Sequence, residues 1–403
     1  QEVELLQQNI VLQVLDRLKL CSHRCEYTPQ RPLVDIRRVI EHLELAVRKL
    51  CLLRLRQKLK AGLLPLQDQL GAPQCLEALN LLVQLGKKQW SQLYTVLCQL
   101  RTVDQLVNLC RHSSGSRQVV LLSLRSISSI SCTVEAIRQL EEAGGIDLVT
   151  DLLTSAPSLE VRVEAAGVLA QVTSPWIDNC LDPCLVDQHG YDLVSSLNSM
   201  CSNTKSCETF LLCTAALANL SYLSPLLLTA ISQLDTLPPL LSFSSIRVVP
   251  SIYILDQVAT LLANLSANQH TRESLLHQDI VPALLLLLAA DPDPQDRSLP
   301  VLAATQRVQQ KAAIAIGRLA VHRTVCLSIL SAGGLDRLVE LSVCREARLD
   351  SDYTLVSVVT AVRKIAQTVD IVTDIQNLGA QDILDSNILH SMQVYSPMME
   401  SFV

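Results

Sequence analysis

The chain has 403 residues, 49% of them apolar and only 3% aromatic, with a net charge of −6. So modest an acidic balance excludes bulk nucleic-acid binding through a basic surface, and the length exceeds one ordinary domain. The longest apolar run, Ile280–Ala290, falls short of the roughly 20 residues a bilayer span needs and contains Pro282, so no membrane insertion is expected.

Residues 1–100 are expected to form an N-terminal helical cap. Gln1–Leu20 reads as an amphipathic helix with Val3, Leu6, Ile10 and Val14 on one side, and Cys21–Pro32 as a loop broken by Pro29 and Pro32. Ile36, Ile40, Leu43, Val47 and Leu50 then follow at alternating steps of four and three, the seam of a packed helical hairpin or bundle. The end of that segment carries Arg48, Lys49, Arg54, Arg56, Lys58 and Lys60. These are either a solvated face whose long stems cover apolar surface, or a contact for an acidic partner or membrane surface. Gly71-Ala72-Pro73 separates a further helical pair that runs to Leu100.

From residue 101 to residue 385 one pattern recurs. A helix ending of the form small–x–apolar–small closes RQVVLLSLRSISSIS at 131, VRVEAAGVLAQVT at 173, FLLCTAALANLS at 221, LDQVATLLANLS at 266, RVQQKAAIAIGRLA at 320 and YTLVSVVTAVRKIA at 366. The intervals are 42, 48, 45, 54 and 46 residues. A second, apolar helix precedes most of these and often opens on a glycine pair, as in GGIDLVTDLL at 144–153 and GGLDRLVELS at 333–342; DIVPALLLLL at 279–288 lacks the pair. Glycine just past a helix suits the left-handed C-terminal position. The predicted order is short helix, glycine turn, apolar helix, loop, long Ala/Leu helix. Long connections are expected at Ser174–Gly190, Leu240–Tyr253 and Asp291–Pro300. Residues 386–403 read as a tail with no core of its own.

The period and the two motifs resemble the armadillo repeat. The fold class expected is therefore all-α: a right-handed α-solenoid of armadillo-like repeats behind an N-terminal helical cap. In armadillo proteins the third helices line a concave groove, where an Asn near each helix end hydrogen-bonds the backbone of an extended peptide. Aligned on the ending, that position is Ser129, Gln171, Asn219, Asn264, Arg318 and Lys364. The row thus passes from neutral amides to cations, and Arg307, Lys311 and Arg363 add positive charge at its C-terminal end. Amides satisfy both the N–H and C=O groups of a peptide, and cations favour an acidic ligand. The alternative is that Asn219 and Asn264 cap or bridge neighbouring helices. The family's Trp position holds Arg125, Gly167, Ala215, Thr260, Ile314 and Thr360, which argues against an import adapter that clamps Lys stems between tryptophans.

No Gly-rich phosphate loop, His-Glu-x-x-His pair or Gly-x-Ser-x-Gly elbow occurs, so no enzyme and no cofactor are expected. Cys180, Cys184, Cys201 and Cys207 come nearest to a metal set, but their spacing is poor for one. Most of the other cysteines, among them Cys98, Cys110, Cys213 and Cys326, lie at helical spacing among apolar residues and read as core in a reducing cytoplasm. The chain ends Glu400-Ser401-Phe402-Val403, an apolar carboxyl terminus with Ser two residues before it, as PDZ domains read.

Four stretches narrow the resemblance: AAGVLAQVTSP at 165–175, AALANLS at 215–221, RVQQKAAIAIGRLA at 307–320 and the MESFV ending look like the Inscuteable family. That resemblance implies a non-enzymatic cytoplasmic adaptor, recruited to the cell cortex in asymmetric cell division. It implies two partners: a PDZ-containing partitioning-defective polarity scaffold, and the spindle-orienting TPR protein of the Pins/Leu-Gly-Asn-repeat type. The family's TPR-binding peptide lies N-terminal to the repeats and has no convincing copy in residues 1–100, so the TPR protein is expected to meet a segment N-terminal to this chain. An armadillo-type cargo or transport adaptor is the alternative.

Overall fold

A computed structural model describes residues 49–63, 73–86, 91–113, 116–177, 181–234, 236–245, 251–277 and 280–384, together with residues 41 and 45. Among the described residues every regular element is a helix. The chain packs as two compact units, Gln1–Leu148 and Val149–Val403.

Among the described residues of the first unit, 49–63 form a helix (α1), which buries Leu59 and Leu63. Lys49, Arg54, Arg56, Lys58 and Lys60 are exposed on it. Then come α2 (Pro73–Gly86), α3 (Ser91–Gln99), α4 (Thr102–His112), α5 (Arg117–Ile130) and α6 (Val134–Glu142). Helix α7 (Gly145–Ser155) begins in this unit and crosses into the next. Gln139 of α6 is buried and donates to the Cys98 carbonyl at 2.9 Å, which ties α6 to the end of α3.

The second unit continues through α8 (Leu159–Val172) and three further triplets. These are α9 (Pro183–Asp187), α10 (Gly190–Asn203) and α11 (Cys207–Leu223); α12 (Pro225–Gln233), α13 (Leu237–Ser245) and α14 (Ile252–Ala267); and α15 (Gln269–Leu276), α16 (Val281–Leu288) and α17 (Leu299–Leu319). A last triplet is α18 (Arg323–Ser331), α19 (Gly334–Val343) and α20 (Asp352–Thr368), followed by α21 (Val372–Asn377) and a 3₁₀ turn at Gln381–Leu384. The predicted order of short, apolar and long helix thus repeats along the chain.

The glycine pair does two separate jobs. Gly333 sits at φ 73°, the left-handed conformation that turns the chain out of α18, and Gly144 does the same at φ 64°. The second glycine is needed for space. A Cβ on Gly334 would lie 2.6 Å from Leu285 Cδ2 and 2.8 Å from Ile329 Cγ2. One on Gly145 would lie 2.9 Å from the Leu140 carbonyl oxygen.

Two of the expected long connections contain helices. Ser174–Gly190 holds α9, whose N-cap Asp182 accepts from the Cys184 N–H at 3.0 Å. Leu240–Tyr253 lies partly in α13, which opens LPPLL; its two prolines fall in the first turn, where a backbone N–H has no intrahelical partner to lose. Proline there starts a helix rather than breaking one.

Successive long helices of the second unit pack directly on one another: α8 on α11, α11 on α14, α14 on α17, α17 on α20. Small buried side chains make that stacking possible: Ala165 and Ala166, Ala216, Ala259, then Ala312, Ala313 and Ala315. At Gly317 the approach is close, since a Cβ there would lie 3.3 Å from the Ala361 Cα. Cys98 and Cys110 are buried in the first unit, and Cys201, Cys213 and Cys326 in the second. Burial pushes the Cys110 thiol up to about 12, and a hydrogen bond to Cys201 together with burial raises Cys213. Such thiols are packing groups, not reactive ones.

Candidate functional site

Gln171, Asn219, Asn264, Arg318 and Lys364 of the aligned row lie on the stacked long helices of the second unit, and hydrogen bonds link three of them to the helix before. Asn219 Nδ2 on α11 donates to the Ala170 carbonyl on α8 at 2.7 Å. Asn264 Nδ2 on α14 donates to Ser221 Oγ at 2.9 Å and to the Ala218 carbonyl on α11 at 3.4 Å. Arg318 Nη1 on α17 donates to the Ala263 carbonyl on α14 at 2.8 Å. The three acceptors are the residues immediately before Gln171, Asn219 and Asn264. Each of these three row residues therefore reaches back to the same place on the helix before it, so Asn219, Asn264 and Arg318 lie on one side of the layer.

The Ala-Asn-Leu-Ser ending contributes both halves of this link. The Ala218 carbonyl also accepts from Ser221 Oγ at 2.6 Å, and the Ala263 carbonyl from Ser266 Oγ at 2.7 Å. The serine and the next repeat's row residue converge on one carbonyl near the helix end. The bridging role weighed for Asn219 and Asn264 is thus present in the structure. Asn264 is only 6% exposed, whereas Asn219, Gln171, Arg318 and Lys364 are half-buried. The pattern stops at α20, where Thr368 Oγ1 takes the Ala320 carbonyl at 2.6 Å and Lys364 reaches no carboxylate among the described residues. Ser129 belongs to the first unit and donates to the Arg125 carbonyl of its own helix at 2.9 Å.

Arg307 and Lys311 converge on a residue that sequence reasoning missed, Asp256 of α14. Arg307 Nε and Nη2 lie 2.8 and 2.7 Å from Asp256 Oδ2, and Lys311 Nζ lies 2.9 Å from Oδ1. Lys311 also donates to Thr260 Oγ1 at 2.6 Å. The side chains of Asp256 and Lys311 are 5% and 16% exposed, that of Arg307 38%. Desolvation by burial lowers the Lys311 pKa against the pull of Asp256. One carboxylate thus takes two cations, and the cluster keeps one positive charge, on Arg307's more exposed guanidinium. Arg363 is held differently, donating from Nε to the Ile383 carbonyl at 2.9 Å.

Against known proteins, a family model described as "Protein inscuteable C-terminal" matches residues 74–403. The chain belongs to the Inscuteable family. Curated relatives named "Protein inscuteable homolog" from Homo sapiens and Mus musculus are each 31% identical over 303 residues, 75% of this chain and 52% of theirs. The chain thus spans about half the length of the Inscuteable relatives it matches. Solved structures with a similar fold include a designed armadillo repeat protein, with a TM-score of 0.51 at 20% identity, covering 66% of this chain and 98% of that one. An engineered protein gives a TM-score of 0.59 at 19% identity, covering 90% and 93%. The fold is that of armadillo-like repeats. The family match supports an adaptor or scaffold role, and no enzymatic family is indicated.

Glu400, Ser401, Phe402 and Val403 lie outside the described residues, as does Arg48. No described helix is long and apolar enough to cross a membrane.

Proposed function

We propose that this chain is the armadillo-repeat part of a cytoplasmic adaptor, recruited to the cell cortex, that acts in spindle orientation during asymmetric cell division. In this reading it couples a PDZ-containing partitioning-defective polarity scaffold to the spindle-orienting TPR protein. The observation that carries the proposal is the match of residues 74–403 to the Inscuteable C-terminal family.

Two surfaces divide the work. The exposed side of α8, α11, α14, α17 and α20 receives an extended peptide, with Gln171, Asn219, Arg318 and Lys364 as its polar row and Arg307 and Lys311 beside it. Asn264 is better suited to holding α14 on α11, though its carboxamide has two N–H groups and an oxygen to share. The second surface is the tail. As an added β-strand it places Val403 in an apolar pocket with its carboxylate against backbone N–H groups. Side chains alternate along a strand, so Ser401 points the same way as Val403 while Phe402 and Glu400 face outward.

The test is titration of the whole chain, with and without Val403, against PDZ domains of the polarity scaffold. Binding that disappears with Val403 supports the tail as the ligand. Equal binding without it removes the tail from the proposal.

A further inference from the structure

The charge of the long helices changes sign along the second unit. Helix α8 carries Glu160, Arg162 and Glu164, and α11 carries Glu208, so the two together hold one cation against three acids, a net −2. Helices α14, α17 and α20 carry Arg307, Lys311, Arg318, Arg363 and Lys364 against Asp256 and Asp352, five cations against two acids, a net +3. That excess stands on a chain whose total is −6. The cations of α17 fall four and then seven residues apart, so Arg307, Lys311 and Arg318 share one helical stripe. The hydrogen bonds from Arg307, Lys311 and Arg318 to α14 put that stripe beside Asp256, Thr260 and Ala263. The close approach of Gly317 to Ala361 brings the Lys364 turn of α20 to its other side.

We infer that the α14–α17–α20 portion of this face binds the acidic stretch of an extended peptide. Resting on the peptide-face reading above, the inference adds the ligand's charge and its place on the face. Asp256 fixes the geometry. It holds Lys311 and Arg307 in place through both carboxylate oxygens, yet neutralises only one of them. A ligand carboxylate meets a pre-positioned Arg307 guanidinium and then Lys364 one helix on, with little side-chain order left to impose. Helices α8 and α11 carry no such excess of cations, so the acidic segment is placed at one end of the row.

Fluorescence anisotropy of the whole chain tests this, with short labelled peptides alternating Glu–Thr, Gln–Thr and Lys–Thr. The Glu–Thr peptide is expected to bind at least about tenfold more tightly than the Gln–Thr peptide, and to weaken as salt rises. Arg307→Gln and Lys364→Gln are each expected to weaken it by about three- to tenfold. Lys58→Gln, on the exposed cationic side of α1, is expected to leave it unchanged. Arg307→Gln leaves the Lys311–Asp256 pair intact, and an unaltered melting curve verifies that the loss belongs to binding. If Gln–Thr or Lys–Thr binds as tightly as Glu–Thr, the peptide face stands and the acidic inference falls. A Lys58→Gln loss equal to that of Arg307→Gln places the acidic site elsewhere and also overturns it. Failure of all three peptides to bind overturns both this inference and the peptide face, and leaves the tail untouched.

Discussion

Asp256→Asn is the substitution to which the second unit is expected to be most sensitive. The carboxylate is 5% exposed, accepts three N–H contacts between 2.7 and 2.9 Å, and faces a lysine that is 16% exposed. Neutralising it leaves Lys311 desolvated beside Arg307 with no counter-charge. Breaking a buried pair from one side typically costs about 3–5 kcal/mol. Arg307, at 38% exposure, keeps part of its hydration, which reduces the expected loss to about 2–4 kcal/mol. For a unit of this size that is a fall in Tm of about 4–16 °C. Replacing the pair together, Asp256→Leu with Lys311→Met, is expected to recover most of the loss, because an apolar pair of similar volume needs no desolvated charge. The pH dependence has a definite sign. Burial lowers the folded pKa of Lys311 below its ordinary 10.5, so between those values the unfolded chain holds more protons and stability rises with pH. Asp256→Asn steepens that rise on the alkaline side and Lys311→Met abolishes it. Chemical denaturation from neutral pH to about pH 10 measures both effects. An Asp256→Asn variant within about 0.5 kcal/mol of the parent, or a double variant no better than the single, refutes the buried-pair argument.

Other expected outcomes follow from the same geometry. Asn264→Ala removes contacts to Ser221 Oγ and the Ala218 carbonyl at a 6% exposed position, and is expected to cost about 1–2 kcal/mol by denaturant titration; Asn219→Ala, half-buried with one such bond, costs less. Gly334→Ala forces a methyl group against Leu285 and Ile329 and is expected to cost about 1–3 kcal/mol, while Gly333→Ala costs about 1–2 kcal/mol through its left-handed backbone; thermal melts separate both from the parent. Ser401→Glu is expected to weaken PDZ binding by about tenfold or more with no change in Tm, read by titration and calorimetry on the same preparation.

Much of this architecture was legible because its signals are local. The glycine pairs mark the turns before α7 and α19, since a left-handed residue and a close approach both exclude a side chain. The repeated Ala-Asn-Leu-Ser ending marks the row, since one register of one helix recurs. Bridging between helices was one of two readings of the ending, and the sequence did not decide between them. The Asn264 bond to the previous repeat depends on how closely α14 approaches α11, which no single repeat encodes. Asp256 was missed for a related reason. Its partners Arg307 and Lys311 lie more than a repeat away, and only a lone acid within the apolar run IYILDQVATLLANLS gave any sign of it. Helix α9 and the part of α13 from Leu240 onward were read as connections because those stretches hold proline, polar residues or both, although proline in a first turn, as at Pro183, is compatible with a helix.

An adaptor must hold two partners at once, and simultaneous occupancy is the measurement that tests the proposal most directly. The chain is saturated with the Glu–Thr peptide, a PDZ domain of the polarity scaffold is titrated in, and the complexes are weighed by analytical ultracentrifugation. The account predicts a ternary complex, with PDZ affinity within about twofold of that measured without the peptide. Displacement of one ligand by the other, or a species that never exceeds a binary mass, would contradict it.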